Sequence, residues 1–331
     1  MTEQQPAGRR QLSTPVKLAT VVAGLATALT VMVLAFATPS VNSGAHDLPI
    51  GISGTDTTVA QVRASLTSQM SGVFDVTAYD DAATLRPAIL DRDEVGGLSI
   101  AQDGSVDVLT ATAAGASYAS VLKTVGAALT AGGQTVAYEE LVPYTDDDPM
   151  GAGLSALALP LVFGGMISSV VLALVLKGIA VPLRLATGAA FALVAGLVVT
   201  ALLQFGFGSL DGSYLLTALC VALGIAAINF PILGLQSLLG TAGIGIGALV
   251  MMFVANPLSG FATGPAWLPS PWGAIGQLLP VGAAGTAIRS VAFFDGAGSA
   301  HGLIVLSCWV VAGLALAALS ARRAAPVAAT D

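Results

Sequence analysis

Long unbroken apolar stretches alternate along this chain with one polar stretch in which apolar residues recur at short intervals. The first apolar run covers residues 18–38, and at about 1.5 Å per residue a helix of that length spans about 31 Å, enough to cross the hydrocarbon core of a bilayer. Five more runs, at 152–176, 185–207, 214–236, 238–255 and 302–320, predict five further spans. Ser237-Leu238-Leu239-Gly240 leaves room only for a tight hairpin between the fourth and fifth spans. Residues 256–301 carry Pro257, Pro265, Pro269, Pro271 and Pro280, which break any continuous helix. Their apolar neighbours, Trp267, Trp272, Leu278, Leu279, Phe293 and Phe294, still require lipid or protein. Short helices re-entering the outer leaflet, with the tryptophans at headgroup level, satisfy both demands.

The polar stretch predicts a small domain. Residues 48–53 and 74–79 form strands, and 57–69 forms a helix with Val59, Val62, Leu66 and Met70 at helical spacing. Residues 81–92 form a second helix, capped by Asp81. Strands at 97–101 and 106–112 flank Asp103-Gly104, a hairpin turn. A third helix over 117–131 ends at Gly132-Gly133, and 134–140 is the last strand. The order β-α-β-α-β-β-α-β implies a layered α/β fold. The fold class is thus an α-helical membrane protein with six transmembrane helices and an inserted small α/β extracellular domain.

Composition sharpens this division. Hydrophobic residues make up 55% of the chain and charged ones only 9%, against about 25% charged in soluble domains, which excludes a wholly soluble fold. Residues 39–151 hold fifteen acidic residues against Arg63, Arg86, Arg92 and Lys123, a local balance of −11. The rest of the chain carries +4. So acidic an outer domain argues against nucleic acid as a partner, which would need a basic surface. Orientation follows from bases near the span ends. Arg9, Arg10, Lys17, Lys177, Arg184, Arg322 and Arg323 gather on one side, and the outer loops of the membrane module hold only Arg289. Tails 1–17 and 321–331 are therefore expected in the cytoplasm, 39–151 outside, and 152–320 as a five-helix module with a re-entrant segment at 256–301. Ala35-Phe36-Ala37 has the form of a signal-peptide cleavage site, but the run before it exceeds the usual 7–15 residues of such a core, which favours an uncleaved anchor. Arg9-Arg10 is read as topology-setting charge rather than an export signal. Cys220 and Cys308 both fall in apolar segments, so the outer domain has no disulfide.

Several stretches together resemble the type-2 ABC exporter permeases, and among them the phage-infection-protein branch. The domain opens with Leu48-Pro49-Ile50-Gly51-Ile52 followed by Asp56, departing from that branch at Ser53-Gly54. Phe74-Asp75-Val76, Asp81-Ala82-Ala83 and Val95-Gly96-Gly97-Leu98-Ser99-Ile100 are similar in turn. So is the loop before the last span, with Asn256-Pro257-Leu258-Ser259-Gly260, Pro271-Trp272, Gly276-Gln277-Leu278-Leu279-Pro280, Gly282-Ala283-Ala284, Arg289 and Phe294. The resemblance implies a permease that works as paired six-span halves, a homodimer or half-transporter, above a separate ATP-binding subunit. The chain has no G-x-x-x-x-G-K-S/T loop of its own. The coupling surface would be the cytoplasmic loop from Lys177 to Arg184, together with the N-terminal tail.

Enzymatic chemistry finds little footing. His46 and His301 stand near membrane boundaries without a nucleophile or ligand cluster, and no cofactor or metal is implied. Asp146-Asp147-Asp148 could bind calcium, but a solvated lead into the second span is the plainer expectation. Polar residues inside spans must find partners, which makes Gln204, Asn229 and Gln236 candidates for a substrate path, or else for interhelical packing. Gly243 and Gly247 allow close helix approach. In the outer loops, Asn256 and Arg289 are the candidates, Arg289 pairing with Asp295 or a lipid phosphate. Two functions remain open on the sequence. One is a permease subunit exporting a lipid-like or amphipathic compound; the other is a non-transporting scaffold or surface receptor, such as a secretion-system accessory.

Overall fold

A computed structural model describes residues 13–324; Arg9 and Arg10 lie outside them. Helix α1 (Thr14–Val41) leads into the α/β domain. There follow β1 (Leu48–Ser53), α2 (Asp56–Gln69), β2 (Phe74–Tyr79), α3 (Ala82–Leu90), β3 (Gly96–Ile100), β4 (Val106–Thr110), α4 (Ala116–Ala131) and β5 (Val136–Glu140). This is the element order that the sequence pattern predicts. Thr55 caps α2, and Asp81 closes a capping box with Thr84 at the start of α3. The β3–β4 turn places Gly104 at φ +86, where a side chain would be strained.

The five strands lie in the order β2-β1-β3-β4-β5. β1 is parallel to both β2 and β3, β4 is antiparallel to β3, and β5 runs parallel to β4. Strand alternation sends Gly51 and Gly97 toward Leu85 of α3, whereas Gly96 points to Leu122 of α4. Leu98, on the same face as Gly96, lies under a groove between α2 and α4. The sheet is therefore sandwiched, with α3 on one face and α2 and α4 on the other. Leu48, Ile50, Ile52, Leu85, Leu98, Val108 and Leu122 fill its core.

The chain re-enters the helical module through α5 (Ala152–Ala156) and α6 (Ala158–Val175), which run nearly end to end. Of the aspartates ahead of α5, Asp146 and Asp147 are exposed, as a solvated lead requires, but Asp148 is not. Asp148 is buried and accepts from the amides of Ala152 at 2.8 Å and Gly153 at 2.7 Å. Burial on its own would raise the Asp148 carboxyl, but those amides hold the carboxylate and leave it below the ordinary 3.8. Asp148→Ala is expected to cost about 1–2 kcal/mol, as other lost caps do. Because the folded-state value is depressed, the contribution is complete above the unfolded pKa and disappears as pH falls through the folded one. Thermal unfolding of wild type and variant should accordingly converge in acid and separate at neutral pH.

Helix α7 (Val181–Ala201) is prolonged by a π-helical turn, Leu202–Gly206. Helix α8 (Tyr214–Leu239) follows, then α9 (Thr241–Leu249), α10 (Trp272–Gln277), α11 (Pro280–Phe293) and α12 (Ala300–Ala324). Five of these units are long and apolar enough to cross a membrane: α1, α5 with α6, α7 with its extension, α8 and α12. The expected fifth of six spans is shorter than its run of apolar residues suggests. Gly240, at φ +64, makes the hairpin turn, leaving 9 residues of α-helix and 6 of π-helix over Thr241–Ala255. That is below the roughly 17–25 residues of a full span.

Helix α8 is the hub of the module. In its most apolar window 78% of residues are buried, against none in α1. Its neighbours approach through glycines. A Cβ on Gly196 of α7 would lie 2.4 Å from the Ala218 carbonyl oxygen, and one on Gly313 of α12 2.4 Å from the Phe230 carbonyl carbon. One on Gly243 of α9 would lie 2.2 Å from the Leu235 oxygen. Small residues thus let backbones touch inside one chain, the usual way apolar helices pack without a hydrophobic driving force.

Candidate functional site

The segment between α9 and α12 is broken into short helices and lies against the α/β domain. Pro280 starts α11, where its missing N–H costs nothing. Nearly all of α11 is buried against α8 and α12. The domain hydrogen-bonds both to α11 and to the turn around Pro265–Trp267. Arg92, just after α3, donates from Nη1 to the Thr286 carbonyl at 3.2 Å and to Ser290 Oγ, with its guanidinium 5.0 Å from the Phe294 ring centre. The amide of Ala266 donates to Tyr118 Oη at 3.0 Å. The Gly44 amide donates to the Trp267 carbonyl at 2.9 Å. Arg92 also sits at φ +67, an uncommon conformation for a residue with a Cβ.

Arg289 lies under this seam, 1% exposed, donating from Nη2 to the Phe261 carbonyl at 2.8 Å, with Nε unpaired. It does not pair with Asp295: the only ion pair among the described residues is Arg86–Glu139. Two guanidiniums therefore share a seam without a carboxylate. Burial, and then Arg289, pull the Arg92 guanidinium down to about 10. Burial pushes the Tyr118 phenol up to about 12, despite the two arginines. Asn256, at the end of the π-turn, accepts a bond from Ser259 Oγ through its carbonyl at 2.8 Å and so shapes the loop that presents Phe261.

The polar residues of the spans are spread through the bundle. Gln204 donates to the Gly212 carbonyl at 3.1 Å on the domain side. Asn229, fully buried mid-helix, donates to Ser168 Oγ at 2.7 Å, with its side-chain oxygen against Gly188 of α7. Gln236 accepts from Arg184 Nη1 at 3.0 Å on the far side. The three are not brought together, and each ties α8 or a loop to a neighbour. Lys177 is exposed in the α6–α7 loop, but Arg184 is half-buried in its bond to Gln236.

Helix α1 stands apart. It meets the rest of the module near Val250–Ala255, and a cavity of about 230 Å³ lies between them. Leu34, Pro39, Phe253, Val254, Leu258 and Trp272 give it an apolar wall, with Thr38 its one polar side chain. Sequence reasoning missed Arg92, Tyr118 and Asp148 as functional or structural anchors. Only Asp148 had a legible cue, an acidic residue a few positions before an apolar run.

These features define a helical membrane protein carrying a small mixed-sheet α/β domain seated on a broken, buried segment. Compared with protein-family models, curated proteins and solved structures, the chain finds no match.

Proposed function

We propose that this chain is the permease subunit of an ABC-type exporter, moving a lipid-like or amphipathic compound outward across the cell membrane. In this reading six segments cross, with Thr241–Ala255 as the short one and the α/β domain extracellular. The bases Lys17, Lys177, Arg184, Arg322 and Arg323 lie on the cytoplasmic side, as the positive-inside rule requires. The observation that carries the reading is the apolar cavity between α1 and the α9 end. An apolar tail fits such a wall at little desolvation cost, and a helix fixed at one end can open sideways to lipid. The α/β domain, held to α11 by Arg92 and to the Pro265–Trp267 turn by Tyr118, would cover the outer mouth.

A second protomer and a separate ATP-binding subunit complete the proposed machine. With Arg184 engaged by Gln236, Lys177 is the free basic contact in the α6–α7 loop for that subunit. Purification from native membranes is expected to retain an ATPase, and Lys177→Glu to reduce its recovery several-fold. Repeated absence of an ATPase, with a tightly held surface protein in its place, would instead favour a non-transporting scaffold or receptor. The shortness of the α6–α7 loop, between Val175 and Val181, is the observation on that side.

A further inference from the structure

The two parallel pairings of β1 create a feature that the transport reading does not use. After β1 the chain passes to α2 on one face of the sheet, and after β2 to α3 on the other, so the order reverses between β1 and β3. In open α/β sheets, ligands bind in the crevice at such a switch point, outside the carboxyl ends of the strands. Here that end lies away from the membrane helices, because the seam gathers Gly44 and Arg92, which precede β1 and β3. A cavity of about 370 Å³ occupies the crevice, within the range of small-molecule sites.

Its lining is chemically one-sided. Ser53 and Ser99 stand opposite each other in register at the ends of β1 and β3. Thr55 and Gln102 add a hydroxyl and an amide, and Asp80 and Asp81 supply carboxylates, with no basic residue and no aromatic ring. Asp81 is committed to capping α3, which leaves Asp80 as the free carboxylate. Ser53 borders the cavity, is 1% exposed, and its hydroxyl has no hydrogen-bond partner. Folding rarely leaves a buried hydroxyl unpaired without a reason.

We propose that this crevice is a binding site for a small organic cation carrying a primary ammonium group. An ammonium donates hydrogen bonds to Asp80 and meets a wall of one charge sign. The absence of aromatic rings disfavours a quaternary ammonium, whose recognition relies on ring faces. Ser53 would gain the partner that it lacks. The inference is independent of transport, since it concerns the far end of the domain alone.

The test uses the full-length protein in detergent, titrated calorimetrically with putrescine and spermidine, with choline and citrate as controls. The amines are expected to bind saturably and to raise the unfolding temperature, with choline and citrate inert. Asp80→Asn should weaken amine binding about tenfold or more, as loss of a charge-assisted bond does. Ser53→Ala should also weaken it while leaving the unliganded unfolding temperature unchanged or higher, because no bond is lost. Asp75→Asn, on β2 opposite Pro49 and so at the other end of the sheet from Ser53, should bind as wild type. No saturable amine binding, wild-type affinity in both crevice variants, or equal weakening by Asp75→Asn would each overturn the proposal, the last by marking diffuse attraction to an acidic domain.

Discussion

Gly276→Ala is expected to be among the most damaging single-methyl substitutions in this protein. A Cβ at Gly276 would lie 1.6 Å from the Leu258 carbonyl oxygen, and the obstacle is backbone, which no rotamer change can move. Gly282 is equally constrained, its own Cβ falling 2.3 Å from the Gly276 oxygen. The two glycines let α10 and the start of α11 fold around the loop that carries Leu258 and Ser259. Separating them should cost about 3 kcal/mol or more, at the upper end of what overpacking costs. Gly24→Ala supplies the contrast, since nothing lies within 4 Å of its Cβ on α1; in a helix interior alanine is favoured over glycine by about 1 kcal/mol. Thermal unfolding of the purified protein, followed by tryptophan fluorescence, should separate the two variants by many degrees. Equal midpoints would mean that the segment around α10 is not packed as described.

Arg289 is the second position where a large effect is expected, and its sign depends on the replacement. The side chain is the largest among those fully buried in the described chain. Arg289→Ala empties that volume, at roughly 2–5 kcal/mol for large-to-small core changes, and strips the Phe261 carbonyl of its donor, at about 1–3 kcal/mol. Relief of an unneutralised buried cation offsets part of this, for burying a charge without a counter-ion is itself costly. Arg289→Met keeps most of the volume and takes the relief in full. We therefore expect the alanine variant to lose about 3 kcal/mol or more and the methionine variant to stay within about 1 kcal/mol of wild type. Matched chemical or thermal unfolding in one detergent would decide. If both fall equally, the Phe261 hydrogen bond and not the volume is the essential contribution.

The α/β domain was legible in the sequence almost element by element. Strands 48–53 and 74–79 appear with the expected limits, because two-residue and helical periodicities, the Asp81 cap and the Asp103-Gly104 turn are all written within a few residues of where they act. The long apolar helices were legible for a similar reason. The short α9 was not, since counting apolar residues ignores that Gly240 spends part of the run on a turn. What joins the parts was hidden. Arg92 and Ser290 are 198 positions apart, and Arg184 and Gln236 are 52 apart, and no local pattern announces such pairs. Polar residues inside spans did stand out, but their partners decide whether they line a path or tie helices. Here Asn229 meets Ser168 and Gln236 meets Arg184.

On the helical side of the seam, Thr286 and Ala266 take part through main-chain atoms, a carbonyl and an amide, whereas Ser290, Phe294 and Trp267 also offer their side chains to Arg92 and Tyr118. Such a socket tolerates exchange of side chains at 266 and 286, but not at 267, 290 and 294. Evolution, or an engineer, could exchange one headpiece for another on the same transmembrane base, provided that the newcomer brings an arginine and a tyrosine to the places held by Arg92 and Tyr118.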